Sequence, residues 1–179
     1  MAVKKAIIFL IVAVGILLAL DLGTKRWAQL ELAHTNGRNI VSGFWRFDYV
    51  ENRNIAFSVG RQLPNSVKQP LIIGIGILAL VFLIYFIIQS EKSFLIYVST
   101  TLIMAGALGN LIDRLINGYV VDFIHWFYKG FDWPVFNLAD AYITVGMIFL
   151  ITEFLFFARQ DPQTTGKSLP QSEKNQITG

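Results

Sequence analysis

The sequence predicts an all-α membrane protein: a bundle of four transmembrane helices with a small strand-bearing cradle between helices 1 and 2. Three observations predict it. Of 179 residues, 54% are hydrophobic and only 15% are charged, too little polar side chain to coat a soluble globule of this size. Four runs have the length and apolarity of bilayer spans. The connection between the first two alternates polar and apolar residues, which suits short strands and not a span.

The first run, 6–20, is fifteen residues without a charge. At 1.5 Å per residue it covers only ~22 Å of a ~30 Å hydrocarbon core, so the helix must continue past Asp21, over roughly 6–26. Lys4 and Lys5 before it would also suit a secretory signal peptide. No small-x-small cleavage site follows, the next residues being Asp21, Leu22, Gly23, Thr24 and Lys25, and a retained helix is expected. The loop 27–69 carries turns at Asn36-Gly37 and Ser42-Gly43 and its clearest strand pattern over 44–50.

The second span, 70–88, is apolar or glycine from 71 onward, with Pro70 expected in its first turn. The third, 94–114, is chargeless through Ile112. Its Ser99, Thr100, Thr101, Gly106 and Gly109 are small enough for close helix approach. The segment 117–136 follows, with Trp126, Phe127, Tyr128 and Trp133 placed as an aromatic belt. The fourth span, 137–157, has Asp140 near its start and Glu153 near its end, with Phe154, Phe156 and Phe157 as lipid-facing filler. Residues 1–158 thus form one membrane domain, and the polar stretch 159–179 is expected to be a disordered tail. Four spans return the chain to its starting side, so the termini share a compartment and both long loops lie on the opposite face.

The formal charge of +3 is spread along the chain with no basic block, so nucleic acid is not an expected partner. Loop charge leaves orientation open. Lys4, Lys5, Lys92, Arg159, Lys167 and Lys174 lie on the terminal side. Lys25, Arg26, Arg38, Arg46, Arg53, Arg61, Lys68, Arg114 and Lys129 lie on the other. Taken literally, nine against six would put the termini outside, although several of the nine are candidates for buried partners.

Chemistry is narrowed by what is missing. Cysteine is absent and the two histidines are His34 and His125, which removes disulfides, thiol nucleophiles, zinc ribbons and iron–sulfur ligation. There is no Gly-x-Ser-x-Gly and no His-Glu-x-x-His. Carboxylates, hydroxyls, amides, Lys and Arg remain, and His125 beside Trp126 reads as a belt residue.

A carboxylate in hydrocarbon costs at least ~2.5–3.5 kcal/mol, so each one in or near a span needs a reason. Asp21 and Lys25, four apart, share a helical face and suit an anchoring pair or a functional role equally. Gly106, Asn110, Asp113 and Arg114 form one polar stripe on the third span. Such a stripe builds a buried hydrogen-bonded network or lines a wet cavity, and an ion network holding the bundle together is the alternative for Asp113 and Arg114. Asp122, in the strand-like stretch 118–124, and Asp140 stand eighteen residues apart, and the loop between spans can bring them together. Two carboxylates there would share a proton and prime a water for attack on a carbonyl. A cation site, a proton relay and helix-end capping are the competing readings.

Five motifs occur in order: Asp21-x-x-Thr24-Lys25, Asn52-x-x-x-Ala56-Phe57, Gly106-Ala107-Leu108-Gly109-Asn110-x-x-Asp113-Arg114, Gly118-x-Val120-Val121-Asp122-Phe123 and Phe136-Asn137-x-Ala139-Asp140. Together they resemble lipoprotein signal peptidase, the signal peptidase II family of bacteria, over nearly the whole chain apart from the tail. One motif departs from pattern. The family usually reads Asn-x-Gly-Ala-Ala-Phe where this chain has Asn52-Arg53-Asn54-Ile55-Ala56-Phe57. Asn replaces Gly at positive φ better than other residues do, so the turn is expected to survive on Asn54.

The resemblance implies an inner-membrane aspartic endopeptidase. Its substrates are diacylglyceryl-modified prolipoproteins, cut on the N-terminal side of the lipidated cysteine. Asp122 and Asp140 match the catalytic pair. Asn52, Gly106, Asn110, Arg114 and Asn137 match residues that bind substrate or support the dyad, and Asp21, Lys25 and Asp113 fall in matched motifs with supporting roles. The resemblance also implies cytoplasmic termini, a site near the periplasmic face, and a first loop folded as an extracytoplasmic sheet on the membrane that helps clamp the peptide. Globomycin inhibition, a monomer in membrane lipid, and no metal or organic cofactor complete the expectation. Two other classes stay in view. An ion or proton conductor would continue its polar residues into the cytoplasmic half, where spans one and two have almost none, and a non-enzymatic scaffold would tolerate the loss of either aspartate.

Overall fold

The computed structural model describes residues 2–54, 64–90 and 93–156. Ala56, Phe57, Arg61, Phe157 and the tail 159–179 lie outside the described residues. The elements run α1 (Ala2–Glu31), β1 (Arg38–Val41), β2 (Trp45–Asn52), α2 (Asn65–Gln89), α3 (Phe94–Asn117), β3 (Val120–Tyr128), β4 (Phe131–Asp132) and α4 (Leu138–Phe156). All four helices are long and apolar enough to cross a membrane, over Ile7–Glu31, Ser66–Gln89, Phe94–Asn117 and Leu138–Phe156. Their outward surfaces carry Phe9, Ile16, Leu78, Phe82, Ile88 and Phe156, all strongly exposed as lipid-facing residues are.

α1 runs unbroken through Asp21 and Lys25 to Glu31, as the length of a bilayer core demands of so short an apolar run. α2 differs from the expectation at its start. It begins at Asn65 behind Pro64, whose carbonyl accepts from Val67 and Lys68 N–H at 3.0 and 2.9 Å, and Pro70 therefore lies inside the helix and not in its first turn. A proline there forfeits one backbone bond, and the polar residues before it still join the helix.

α3 is the central helix and packs against α1, α2 and α4. Beyond Ile96 its buried stripe is small or polar: Ser99, Thr100, Thr101, Ala105, Gly106, Gly109 and Asp113. The hydroxyls of Ser99 and Thr100 donate to Ile96 O at 3.0 and 2.6 Å, so nothing polar is stranded. Gly106 and Gly109 are glycines because of contact. A Cβ on Gly106 would overlap Ala139 O of α4, and one on Gly109 would overlap Asp21 Oδ2 of α1. These two positions let three helices converge on one polar centre.

The sheet is wider than expected. Strands of both long loops form one antiparallel order, β1-β2-β3-β4. The stretch that looked strand-like at 118–124 becomes β3, pairing with β2 from Trp45↔Trp126 to Asn52↔Val120. β2 would otherwise present an unpaired edge, and β3 covers it. The inner face of the sheet packs on the C-terminal end of α1, where Ala28, Leu32, Val121 and Phe123 are buried among Trp27, Phe47, Tyr49 and Leu138. Trp27 meets Phe47 edge-on at 5.3 Å and Phe123 at 6.1 Å between ring centroids. This aromatic seam fixes the sheet over the end of the bundle where α1 and α3 finish and α4 begins.

His125 is not a plain belt residue. Its Nδ1 meets Asp48 Oδ2 at 2.7 Å and its Nε2 meets Asp132 Oδ1, which ties β2, β3 and β4 together. Partial burial disfavours the charged imidazole, but the two carboxylates outweigh it and raise its pKa above the usual value.

Candidate active site

Asp122 is carried by the buried half of β3 and is only 2% exposed. Each of its oxygens accepts from an amide: Oδ2 from Asn52 Nδ2 at 2.9 Å and Oδ1 from Asn137 Nδ2 at 2.6 Å. Asn52 ends β2, two rungs from Asp122 across the β2–β3 pairing. Burial, and then the negative charge of Asp140, push the Asp122 pKa up to about 7 against the opposing pull of Asn52, Asn137 and Lys25.

Asp140 sits in the first turn of α4, where the helix dipole favours a carboxylate. Fully buried Asn137 caps that helix. Its Oδ1 accepts from Asp140 N–H at 3.0 Å while Asp140 Oδ2 accepts from Asn137 N–H at 3.4 Å, a reciprocal capping box. Asp140 Oδ1 accepts from Asn110 Nδ2 of α3 at 2.8 Å. Asn137 therefore bonds both aspartates at once, and its amide also approaches Asn110 Oδ1 at 3.4 Å.

Arg114, half-buried at the end of α3, donates from Nη2 to Asn54 O at 3.2 Å and from Nη1 to Asn110 O at 3.5 Å. Its Nε has no partner among the described residues. Behind the aspartates, Lys25 pairs with Asp21 at 2.8 Å and Asp113 at 3.3 Å and donates to Asn110 Oδ1 at 2.9 Å. Gly106 lies against Ala139 O and the Ile143 side chain of α4. Among the described residues no three His, Asp or Glu side chains converge as metal ligands would.

Asn54 corrects one expectation. Among the described residues Lys129 is the one non-glycine at positive φ, so Asn54 does not hold its turn by a left-handed backbone. It uses hydrogen bonds. Its N–H donates to Asn52 Oδ1 at 3.0 Å, an Asx turn, and its own Oδ1 accepts from buried Lys68 Nζ of α2 at 3.2 Å. Asn52, with its oxygen thus occupied, keeps its nitrogen on Asp122. The Lys68 partner did not stand out in the sequence, where Lys68 was one more loop charge. The faint signal was a lysine in the polar turn just ahead of a long apolar run.

Four membrane-length helices, a sheet over one end, and two amide-clamped aspartates beneath it define a polytopic membrane protein built around a polar centre. The sequence model of the family described as signal peptidase (SPase) II matches residues 12–156. The chain is 35% identical over 154 residues to the lipoprotein signal peptidase of Clostridium tetani, covering 85% of this chain and 92% of that one. It is 36% identical over 154 residues to the lipoprotein signal peptidase of Aquifex aeolicus, covering 86% and 89%. A bacterial membrane enzyme solved by the in meso method superposes with a TM-score of 0.76 at 28% identity, covering 90% of this chain and 94% of that one. The chain belongs to the signal peptidase II family, a family of membrane proteases.

Proposed function

We propose that the protein is an aspartic endopeptidase of the inner membrane that cuts diacylglyceryl-modified prolipoproteins on the N-terminal side of the lipidated cysteine. The observation that carries the reading is Asn137, which bonds Asp122 through its side chain and Asp140 through its cap. It ties together two carboxylates that start eighteen residues apart.

In the proposed reaction the pair holds one proton. The ionised carboxylate takes a proton from water as its oxygen attacks the scissile carbonyl, and the protonated one donates to the carbonyl oxygen, giving a tetrahedral diol. Collapse breaks the C–N bond. The proton taken from water passes to the departing amine of the lipidated cysteine, one diol hydroxyl returns its proton to the aspartate that donated at the start, and the new carboxyl stays on the signal peptide while the pair again holds one proton. Asn52, Asn110 and Asn137 orient the two carboxylates, and Arg114 offers its Nε–H to a peptide carbonyl. Asp21, Lys25 and Asp113 brace the centre from behind, and Gly106 lets α4 sit close enough to bring Asp140 in. No metal or organic cofactor enters these steps. The termini would be cytoplasmic, with the sheet and site near the periplasmic face. The protein would work as a monomer in membrane lipid, and globomycin-type cyclic peptides would compete for the same cleft.

The test is a gel-shift cleavage assay on a prolipoprotein with and without its diacylglyceryl group, run across pH. Cleavage should require the lipid. The rate should fall as pH rises through about 7, because that step strips the shared proton from the pair, and it should fall again at acid pH when the pair takes up a second proton. Equal cleavage of the unlipidated substrate, or a rate flat from pH 6 to 9, would contradict the reading.

A further inference from the structure

A lysine only 2% exposed inside a membrane bundle is expensive unless all three of its N–H donors are met. Lys25 Nζ faces Asp21 Oδ2 at 2.8 Å, Asn110 Oδ1 at 2.9 Å and Asp113 Oδ2 at 3.3 Å. What matters is where each acceptor leads. Asp21 Oδ1 accepts from the N–H of Ala139 at 2.9 Å, and Ala139 immediately precedes Asp140. Asp113 Oδ2 accepts from the N–H of Val121 at 3.1 Å, and Val121 immediately precedes Asp122. Asn110, with its oxygen on the ammonium, must turn its nitrogen to Asp140 Oδ1, which it meets at 2.8 Å.

Three routes thus leave one nitrogen, two ending at Asp140 and one at Asp122. We propose that Lys25 is the positioning residue that registers the two aspartates against each other, through Asp21, Asp113 and Asn110. The proposal rests on the assignment of Asp122 and Asp140 as the reacting pair. An anchoring ion pair would need only one carboxylate four residues away. This lysine instead gathers α1, α3, the start of α4 and the buried end of β3 at one point. Gly109 belongs to the same device, since a side chain there would displace Asp21 Oδ2. Without the ammonium, Asn110 Oδ1 loses its shorter partner at 2.9 Å and keeps only the longer contact with the Asn137 amide at 3.4 Å. A flipped amide would set its oxygen against the Asp140 carboxylate, and the backbones on either side would lose their common anchor.

The experiment is steady-state cleavage of diacylglyceryl-prolipoprotein by the purified full chain, with a thermal midpoint measured for each variant. Lys25→Met should lower kcat by ~100-fold, the cost of an ångström-scale misplacement of reacting groups. KM should stay within ~3-fold, because Lys25 does not touch substrate. The alkaline limb of the pH profile should also move up, since the Lys25 charge holds the Asp122 pKa down.

Lys25→Met leaves Asp21 and Asp113 unpaired and lowers the midpoint. The double variant Asp21→Asn/Lys25→Met restores the wild-type net charge of this cluster and keeps an oxygen for Ala139 N–H. The midpoint should recover in it while kcat stays down. Recovery of kcat together with the midpoint, or a Lys25→Met kcat within ~3-fold of wild type, would overturn the proposal and leave a merely structural lysine. Asp122→Asn and Asp140→Asn run alongside: cleavage surviving in those would strike the dyad itself, whereas a failure confined to the Lys25 variants strikes only this inference.

Discussion

Asp122→Asn and Asp140→Asn are each expected to lose ~10³-fold or more of the cleavage rate, the range of a general acid or base, while the protein still folds and binds a globomycin-type inhibitor. Asparagine keeps the shape of the carboxylate but can neither hold nor accept the shared proton. The stability readout has a definite sign. Asp122 ionises near pH 4 in an unfolded chain and only around pH 7 when folded. Below pH 4 it is protonated in both states and its contribution is fully present. As pH rises from about 4 to about 7 the unfolded chain sheds the proton first, so stability drains away and then levels off. Asp122→Asn has no such loss. The difference in Tm between wild type and Asp122→Asn should therefore move in favour of the variant across that window and stay flat above it. A wild-type rate in either variant in the gel-shift assay would remove that residue from the chemistry.

The second large effect is expected at Asn137. Asn137→Ala removes the amide from Asp122 Oδ1 and half of the capping box that seats Asp140. A fall in kcat of ~100-fold from misplacement should accompany a stability loss of about 1 kcal/mol for the missing cap. The alkaline limb should move to higher pH, because the lost donor was one of the groups holding the Asp122 pKa down. Asn137→Ser separates the two jobs. A serine hydroxyl caps a helix but is too short to reach Asp122, so Tm should return to near wild type and kcat should not. If serine restored both, Asn137 would be a helix cap and nothing more.

The parts of this design legible in the sequence are those written in local spacing. The apolar runs and the helical stripe of Gly106, Asn110 and Asp113 follow from periodicity, and α3 does bury that face. The Asn137-x-x-Asp140 box is likewise local, because its two bonds close within one turn. What was not legible is non-local. The pairing of β2 with β3 across an intervening pair of spans is fixed by an exposed edge and an aromatic seam, and neither leaves a local pattern. The Asx turn of Asn54 and its Lys68 partner depend on where α2 starts, and the position of Pro70 suggested a start five residues too late. Loop charge leaves the orientation open for a related reason. Lys25, Lys68 and Arg114 are committed to the polar centre, and Arg46 and Arg53 are paired with Asp48 and Glu51. Such residues say little about which face of the membrane attracts free positive charge.

The most direct test of the central claim is an experimental structure with a lipopeptide whose scissile amide is replaced by a non-cleavable secondary alcohol, a mimic of the tetrahedral state. The account predicts that the alcohol oxygen lies within hydrogen-bonding distance of both Asp122 and Asp140, with Asn137 still bridging them. An alcohol held by one aspartate alone, or seated away from both, would contradict it.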